Sequence, residues 1–143
     1  MKRRKNLILL LPFLLMSIFS CKKNTKPQPA ESVTVLRNYC TEIGRFDLIF
    51  YENEVSGAYS LLPKKSLGAV WGKLENRQMI GRWIDEDGQG DILIEFNQDF
   101  SWFTTSYRND ELPEKWYKNQ WHGHLRPNNS LKFETNGKKY RCE

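Results

Sequence analysis

The chain has 143 residues, 39% of them hydrophobic and 13% aromatic, and its formal charge of +5 reflects 22 Lys and Arg against 17 Asp and Glu. That excess is confined to the start. Lys2, Arg3, Arg4, Lys5, Lys22, Lys23 and Lys26 are basic, and from Val33 onward 15 basic residues face 16 acidic ones. A body so nearly neutral lacks the basic footprint of a nucleic-acid binder, and no nucleic-acid partner is expected.

Behind the first four basic residues an apolar run extends from Leu7 to Phe19, interrupted by Pro12 and Ser17, and leads to Ser20 and Cys21. Basic residues, a short apolar run and a small residue in that order predict a signal peptide over residues 1–20, since the run is too short for a first reading as a membrane span. Ile18, Phe19, Ser20 and Cys21 resemble the lipobox of bacterial lipoproteins. The resemblance implies cleavage before Cys21 and lipidation of that cysteine. Acyl chains such as palmitate, at roughly 0.8 kcal/mol per buried methylene, would hold the protein to a membrane without a spanning helix. An ordinary signal peptide cleaved nearby, with Cys21 incidental, is the alternative. Residues 22–32, KKNTKPQPAES, have two prolines and no apolar periodicity, and read as an extended tether whose lysines meet either anionic headgroups or solvent. The expected location is the cell envelope, with the periplasmic side of the outer membrane favoured because no acidic stretch follows Cys21.

Residues 33–143 suit one small domain with a single core. With Cys21 assigned to lipid, Cys40 and Cys142 remain near the two ends of the domain, in an exported and oxidising setting. A disulfide between them would close a loop of about 100 residues and place the first and last strands side by side. Two buried free thiols are the alternative.

Alternating apolar and polar residues mark strands along the domain. Phe46, Leu48 and Phe50 outline the first, Glu52 to Glu54 turn it, and Val55, Gly57 and Tyr59 outline the second. Beyond Pro63 a central hairpin carries two copies of an apolar-x-Gly-x-apolar pattern. Val70, Gly72 and Leu74 form one, Met79, Gly81 and Trp83 the other, with Glu75 to Gln78 turning between them. Asp85 to Gln89 turns into a strand bearing Ile92, Ile94 and Phe96, and Asn97 to Asp99 turns again. Phe103, Thr105 and Tyr107 repeat the pattern with threonine in the glycine position. Residues 108–119 form a longer polar connection with room for a helical turn, and Trp121, Gly123 and Leu125 make the last copy. Asn136 and Gly137, between Leu131 to Thr135 and Lys138 to Cys142, give the strongest hairpin signal in the chain.

Eight to ten short strands joined by tight turns predict an all-β, antiparallel up-and-down meander, and closing into a small barrel is how so small a meander hides its edges. Glycines in mid-strand favour closure because they let coiled strands bend. Gly57 to Tyr59, Gly72, Gly81 to Trp83, Phe103 to Tyr107 and Trp121 to Gly123 resemble the Gly-x-Tyr and Gly-x-Trp meander repeats of many bacterial secreted proteins, and more loosely lipocalin and avidin barrels. The resemblance implies a fold rather than a ligand.

Candidate chemistry is sparse. His122 and His124, two apart on one strand, project from the same face as a metal pair could, opposite Trp121 and Leu125, but no third histidine is present to complete a site. Asp85, Asp87 and Asp91 around Gly88 and Gly90 resemble a calcium loop without its terminal glutamate, and also suit a plain turn. No Gly-x-Ser-x-Gly elbow occurs, and the adjacent Asp110 and Glu111 are not set across a cleft. A non-enzymatic role without metal or cofactor is therefore expected.

Aromatic residues are the better lead. Period two puts Tyr59, Trp83, Tyr107 and Trp121 on the glycine-bearing face, where they serve as core or line a barrel mouth that holds a small apolar or sugar-like ligand. Trp116 and Tyr117, in the long connection, would lie over that mouth or pin the connection to the barrel side. Trp71 and Trp102 fall on the opposite face and suit an envelope protein partner. Ser56, Gly57 and Tyr59, with Tyr140 to Cys142, resemble the barrel-shaped lysozyme inhibitors displayed as periplasmic lipoproteins, which implies protein binding as the alternative function.

Overall fold

The computed structural model describes residues 32–63 and 66–142, so the expected signal peptide, Cys21 and all of the expected tether but Ser32 lie outside the described residues. Among the described residues ten strands follow one another: β1 (Thr34–Cys40), β2 (Gly44–Tyr51), β3 (Glu54–Leu61), β4 (Ser66–Glu75), β5 (Gln78–Asp85), β6 (Gly88–Phe96), β7 (Trp102–Asn109), β8 (His122–Leu125), β9 (Lys132–Thr135) and β10 (Lys138–Arg141). The first eight make a closed antiparallel barrel in chain order, with β8 returning to β1. The remaining two form a separate hairpin. The expected all-β meander barrel is thus what the chain forms, with its strands divided into eight and two.

Local chemistry sets the turns. Asn76 and Arg77 both have positive φ (48° and 68°), as do Asn136 and Gly137 (51° and 70°). Two consecutive positive φ values give the turn twist that matches right-handed strands, which is why Asn and Gly recur there.

An eight-stranded barrel has an interior just wide enough for side chains to fill or for one small ligand to occupy. Here the filling includes Tyr39, Phe46, Tyr59, Trp83, Phe96 and Phe103 beside Leu48, Val55, Val70, Met79, Ile92 and Ile94, all buried in one cluster. Rings of that size fit because several lie over a glycine of the next strand. Tyr59 pairs with Gly68, Trp83 with Gly90 and Phe103 with Gly123. A Cβ at Gly68 or Gly123 would collide with the ring of Tyr59 or Phe103, and one at Gly90 would come within 2.9 Å of Trp83 Nε1. Gly72 and Gly81 face each other across β4 and β5, where the two backbones approach too closely for any side chain.

Three expectations need correction. Residues 34–40 form a full first strand, β1, paired along its length with β2, which the sequence reading missed because Thr34, Arg37 and Asn38 blur the alternation. No helical turn occurs in the long connection, whose backbone instead runs back along β7: Tyr107 and Tyr117 exchange hydrogen bonds of 3.0 and 2.8 Å. Finally, Cys40 and Cys142 are bonded, with Cα atoms 4.6 Å apart, but the bond does not set the first and last strands edge to edge. The neighbour of β1 is β8, through Tyr39 with Leu125 and Cys40 with His124. The disulfide instead fastens the β9–β10 hairpin to the outside of the barrel, helped by one bridge between Thr41 and Arg141 and by a small cluster of Cys40, Tyr140, Cys142 and Phe133.

Two outcomes are expected. Gly81→Val should lower stability by about 2–3 kcal/mol, seen as a lower urea midpoint at unchanged slope. Replacing both Cys40 and Cys142 by Ser should cost roughly 2–4 kcal/mol. Hydrogen exchange should then accelerate first in β9 and β10 while β2 to β6 stay protected; simultaneous loss throughout would show that the hairpin belongs to the barrel's cooperative unit.

Candidate functional site

The two ends of the barrel differ. At the end where β1 and β7 start, the loop after β6 folds Phe100 inward as a plug. Phe100 packs edge-on against Phe50 (5.7 Å between centroids) and tilted against Phe96 (5.1 Å). Its positive φ of 58° is unfavourable for a ring-bearing residue, and two donors hold it there. The Tyr39 hydroxyl donates to the Phe100 carbonyl at 2.8 Å and Arg37 Nη1 donates to the same oxygen at 3.3 Å.

The opposite end stays open as a recess of about 270 Å³, lined chiefly by Leu61, Trp83, Asp85, Tyr107, Tyr117 and Trp121. A stack of rings forms one side of it. Tyr107 lies between Tyr117 (5.1 Å, 17°) and Trp121 (5.0 Å, 11°), and Trp83 meets Tyr107 edge-on at 5.7 Å. The β7 backbone and the returning connection position this stack, so the rings are held by main-chain bonds at Tyr107–Tyr117 and Thr105–Trp121. Trp83 is further fixed by its indole N–H, which donates to the Arg108 carbonyl at 3.0 Å.

Carboxylates complete the rim. Asp85 Oδ2 accepts from the Tyr59 hydroxyl at 2.7 Å and Oδ1 accepts from the Asp87 N–H at 2.8 Å. A carboxylate has about four acceptor positions, so Asp85 keeps capacity for a bound donor. Burial, reinforced by the hydrogen bond to Asp85, raises the Tyr59 pKa far above its ordinary value and keeps the phenol a donor. Burial likewise pushes Tyr39 up to about 12 and raises Tyr107.

The sequence-derived candidates separate accordingly. Tyr59 and Trp83 are nearly enclosed, at 2% and 7% exposure; Trp83 lines the recess with Tyr107, Tyr117 and Trp121, whereas Tyr59 does not line it and lies in the core between Phe46 and Trp121. Trp116 is not part of it: its ring lies outside the barrel under the Arg108 guanidinium, 5.1 Å away. The connection is therefore secured at both faces, Tyr117 at the mouth and Trp116 on the outer wall. Leu61, Asp85, Asn109 and Leu112 also line the recess and were not singled out for it. For Leu61, Asp85 and Asn109 a signal existed, because each lies two residues beyond an inward ring, Tyr59, Trp83 or Tyr107, on the same strand face.

The other constellations have structural partners. Asp91 sits on the outer wall between Arg82 (2.8 Å) and Arg108 (2.6 Å); hydrogen bonds from Arg82 and then Arg108 hold its carboxyl below the usual range. It therefore does not converge with Asp85, which faces the mouth. Arg82 also pairs with Asp110, tying down the long connection. His122 Nδ1 lies 3.1 Å from Glu42 Oε1, whereas His124 stacks on Trp102 and meets Tyr140 edge-on at 4.6 Å. Burial lowers the His124 pKa. Among the described residues no three His, Cys, Asp or Glu side chains converge as a metal site would require.

The raised phenols give a pH dependence with a definite sign. A group whose pKa rises on folding holds its proton more tightly in the native state, so its contribution is intact below pH 10, the ordinary tyrosine value, and is lost above it. The loss should run from pH 10 to about 12 for Tyr39 and continue beyond for Tyr59. Phenolate absorbance should show tyrosines that ionise only as the fold collapses, and Tyr59→Phe should flatten the alkaline loss of stability. All six tyrosines titrating together near pH 10 would contradict this.

No family model, curated protein or solved structure matches the chain, so the chemistry of the mouth has to carry the functional reading.

Proposed function

We propose that this is a lipid-anchored cell-envelope protein with a non-enzymatic binding role, and that the barrel mouth takes a small sugar-like ligand. The observation that carries this is the asymmetry of the two ends: the chain plugs one with its own Phe100, and leaves at the other a recess of rings and carboxylates. The C–H face of a sugar ring suits an aromatic surface, and its hydroxyls suit acceptors such as Asp85 and the amide of Asn109. A purely apolar ligand fits this rim less well, because it would displace water from the remaining acceptor positions of Asp85 without replacing its hydrogen bonds.

Protein binding, the alternative, would use Trp71 and Trp102, which are 45% and 40% exposed on the outer wall. They do not form one patch. β5 and β6 separate their strands.

Native mass spectrometry of protein purified from envelopes, followed by fluorescence titration with glucose, galactose and N-acetylglucosamine, tests the reading. Asp85→Asn and Tyr117→Ala should each weaken binding roughly tenfold, the scale of a lost charge-assisted hydrogen bond or stacking contact. Trp71→Ala and Trp102→Ala should leave it unchanged. Absence of retained mass together with no response to any of the three sugars would remove the proposal.

A further inference from the structure

Outward residues of a barrel wall need no apolar character, yet one wall here has it. Leu36, Ile49, Trp71 and Ile80 are 61%, 41%, 45% and 64% exposed. Cross-strand register brings them together. Leu36 pairs with Ile49, Ile49 with Ser56 and Ser56 with Trp71, forming one row across β1 to β4. In the neighbouring row Tyr51 pairs with Glu54, Glu54 with Lys73 and Lys73 with Ile80. Between the rows lies a groove of about 440 Å³ with Ile49, Tyr51, Ser56 and Trp71 among its lining. The continuation of the first row over β5 to β7 is Arg82, Asp91 and Arg108, which are charged and mutually paired. The row is therefore apolar on β1, β2 and β4 and charged on β5 to β7.

The chain joins the barrel on the side of β1 and β2. Ser32 Oγ and the Tyr51 hydroxyl are 3.0 Å apart, so the first described residue is held against the apolar wall. Cys21 lies eleven residues earlier in sequence. Eleven residues can span at most about 40 Å in any conformation. A lipid on Cys21 would accordingly hold the barrel within about that distance of the bilayer, so that the apolar wall meets the membrane surface at high effective concentration.

We propose that the wall formed by Leu36, Ile49, Tyr51, Trp71 and Ile80 docks on the surface of the membrane that holds the lipid anchor. Glu54 and Lys73 cancel in charge, so the attraction is that of apolar and amphipathic aromatic side chains for the interface, where Trp and Tyr are favoured. Docking on this wall leaves the mouth free, because the recess lies at the end of the barrel away from the start of β1. The proposal rests on lipidation of Cys21, and its test separates the two.

Mature protein produced with its own signal is first weighed intact, then reconstituted into vesicles of phosphatidylethanolamine and phosphatidylglycerol with brominated acyl chains, and quenching of tryptophan fluorescence is measured. Acylated protein should be quenched, Trp71→Phe should lose most of the quenching, and Trp102→Phe should keep it. Leu36→Glu and Ile80→Glu, both at exposed positions, should lower quenching while the protein still floats with the vesicles and keeps its far-ultraviolet spectrum. Acylated, folded protein that is not quenched, or whose quenching survives Trp71→Phe, would overturn the docking and leave the anchor standing. Wall residues shielded from labelling in envelopes but unquenched in vesicles would assign the surface to a protein instead. A chain without acyl groups would overturn both.

Discussion

The barrel depends on rings lying over glycines of the adjacent strand. Closing eight strands leaves an interior that side chains can fill or one small ligand can occupy. In this chain the inward positions hold Tyr39, Phe46, Tyr59, Trp83, Phe96 and Phe103. That volume is admitted because Gly68, Gly90 and Gly123 offer bare backbone to the rings across from them. Each ring in turn covers the peptide groups that the glycine leaves open, which is the reciprocal advantage of placing aromatics beside glycines in a coiled sheet. The Gly72–Gly81 pair does something different. It draws β4 and β5 together until the two backbones touch, tightening the wall between rings rather than making room for one.

Filling the interior this way moves any binding chemistry to the ends. One end is sealed by Phe100, whose carbonyl is caught by Tyr39 and Arg37. At the other the core surfaces as a stack. Phe46 lies 5.1 Å from Tyr59, Tyr59 is 6.2 Å from Trp121, and Trp121 passes through Tyr107 to Tyr117. The mouth is thus the last layer of the core, and it inherits the rigidity of the rings beneath. Asp85 joins it because the Tyr59 hydroxyl, buried among rings, requires an acceptor and the strand places a carboxylate within reach.

The outside of the molecule is divided with similar economy. Arg82, Asp91, Arg108 and Asp110 fasten the long connection to one wall, and the disulfide fastens the terminal hairpin to the seam where β8 meets β1 by only two residue pairs. That seam is the barrel's shortest, and the hairpin packs beside it through Tyr140 against His124. On the side of β1 to β5, Leu36, Ile49, Trp71 and Ile80 remain exposed.

Period-two alternation with glycine in mid-face was enough to place Tyr59, Trp83, Tyr107 and Trp121 inside, Trp71 and Trp102 outside, and the meander in its order, because strand facing is a local property of the backbone. Cysteine count, with Cys21 assigned to lipid, offered Cys40 and Cys142 as a pair against two free thiols, and the structure bonds them. The first strand escaped because its outward and inward residues are of mixed polarity and it has no mid-face glycine to mark a face. Trp116 and Tyr117 are adjacent in sequence and part company in space, one to the outer wall and one to the mouth. Which went where depended on the hydrogen bonds between Tyr107 and Tyr117, a contact made only after β7 is in place. Register across strands, which set Tyr59 over Gly68 and Trp83 over Gly90 and turned a row of residues into a recess, arises from pairing between distant segments. Only the tertiary structure decided it, since no residue's neighbours in sequence determine which backbone will lie beneath its ring.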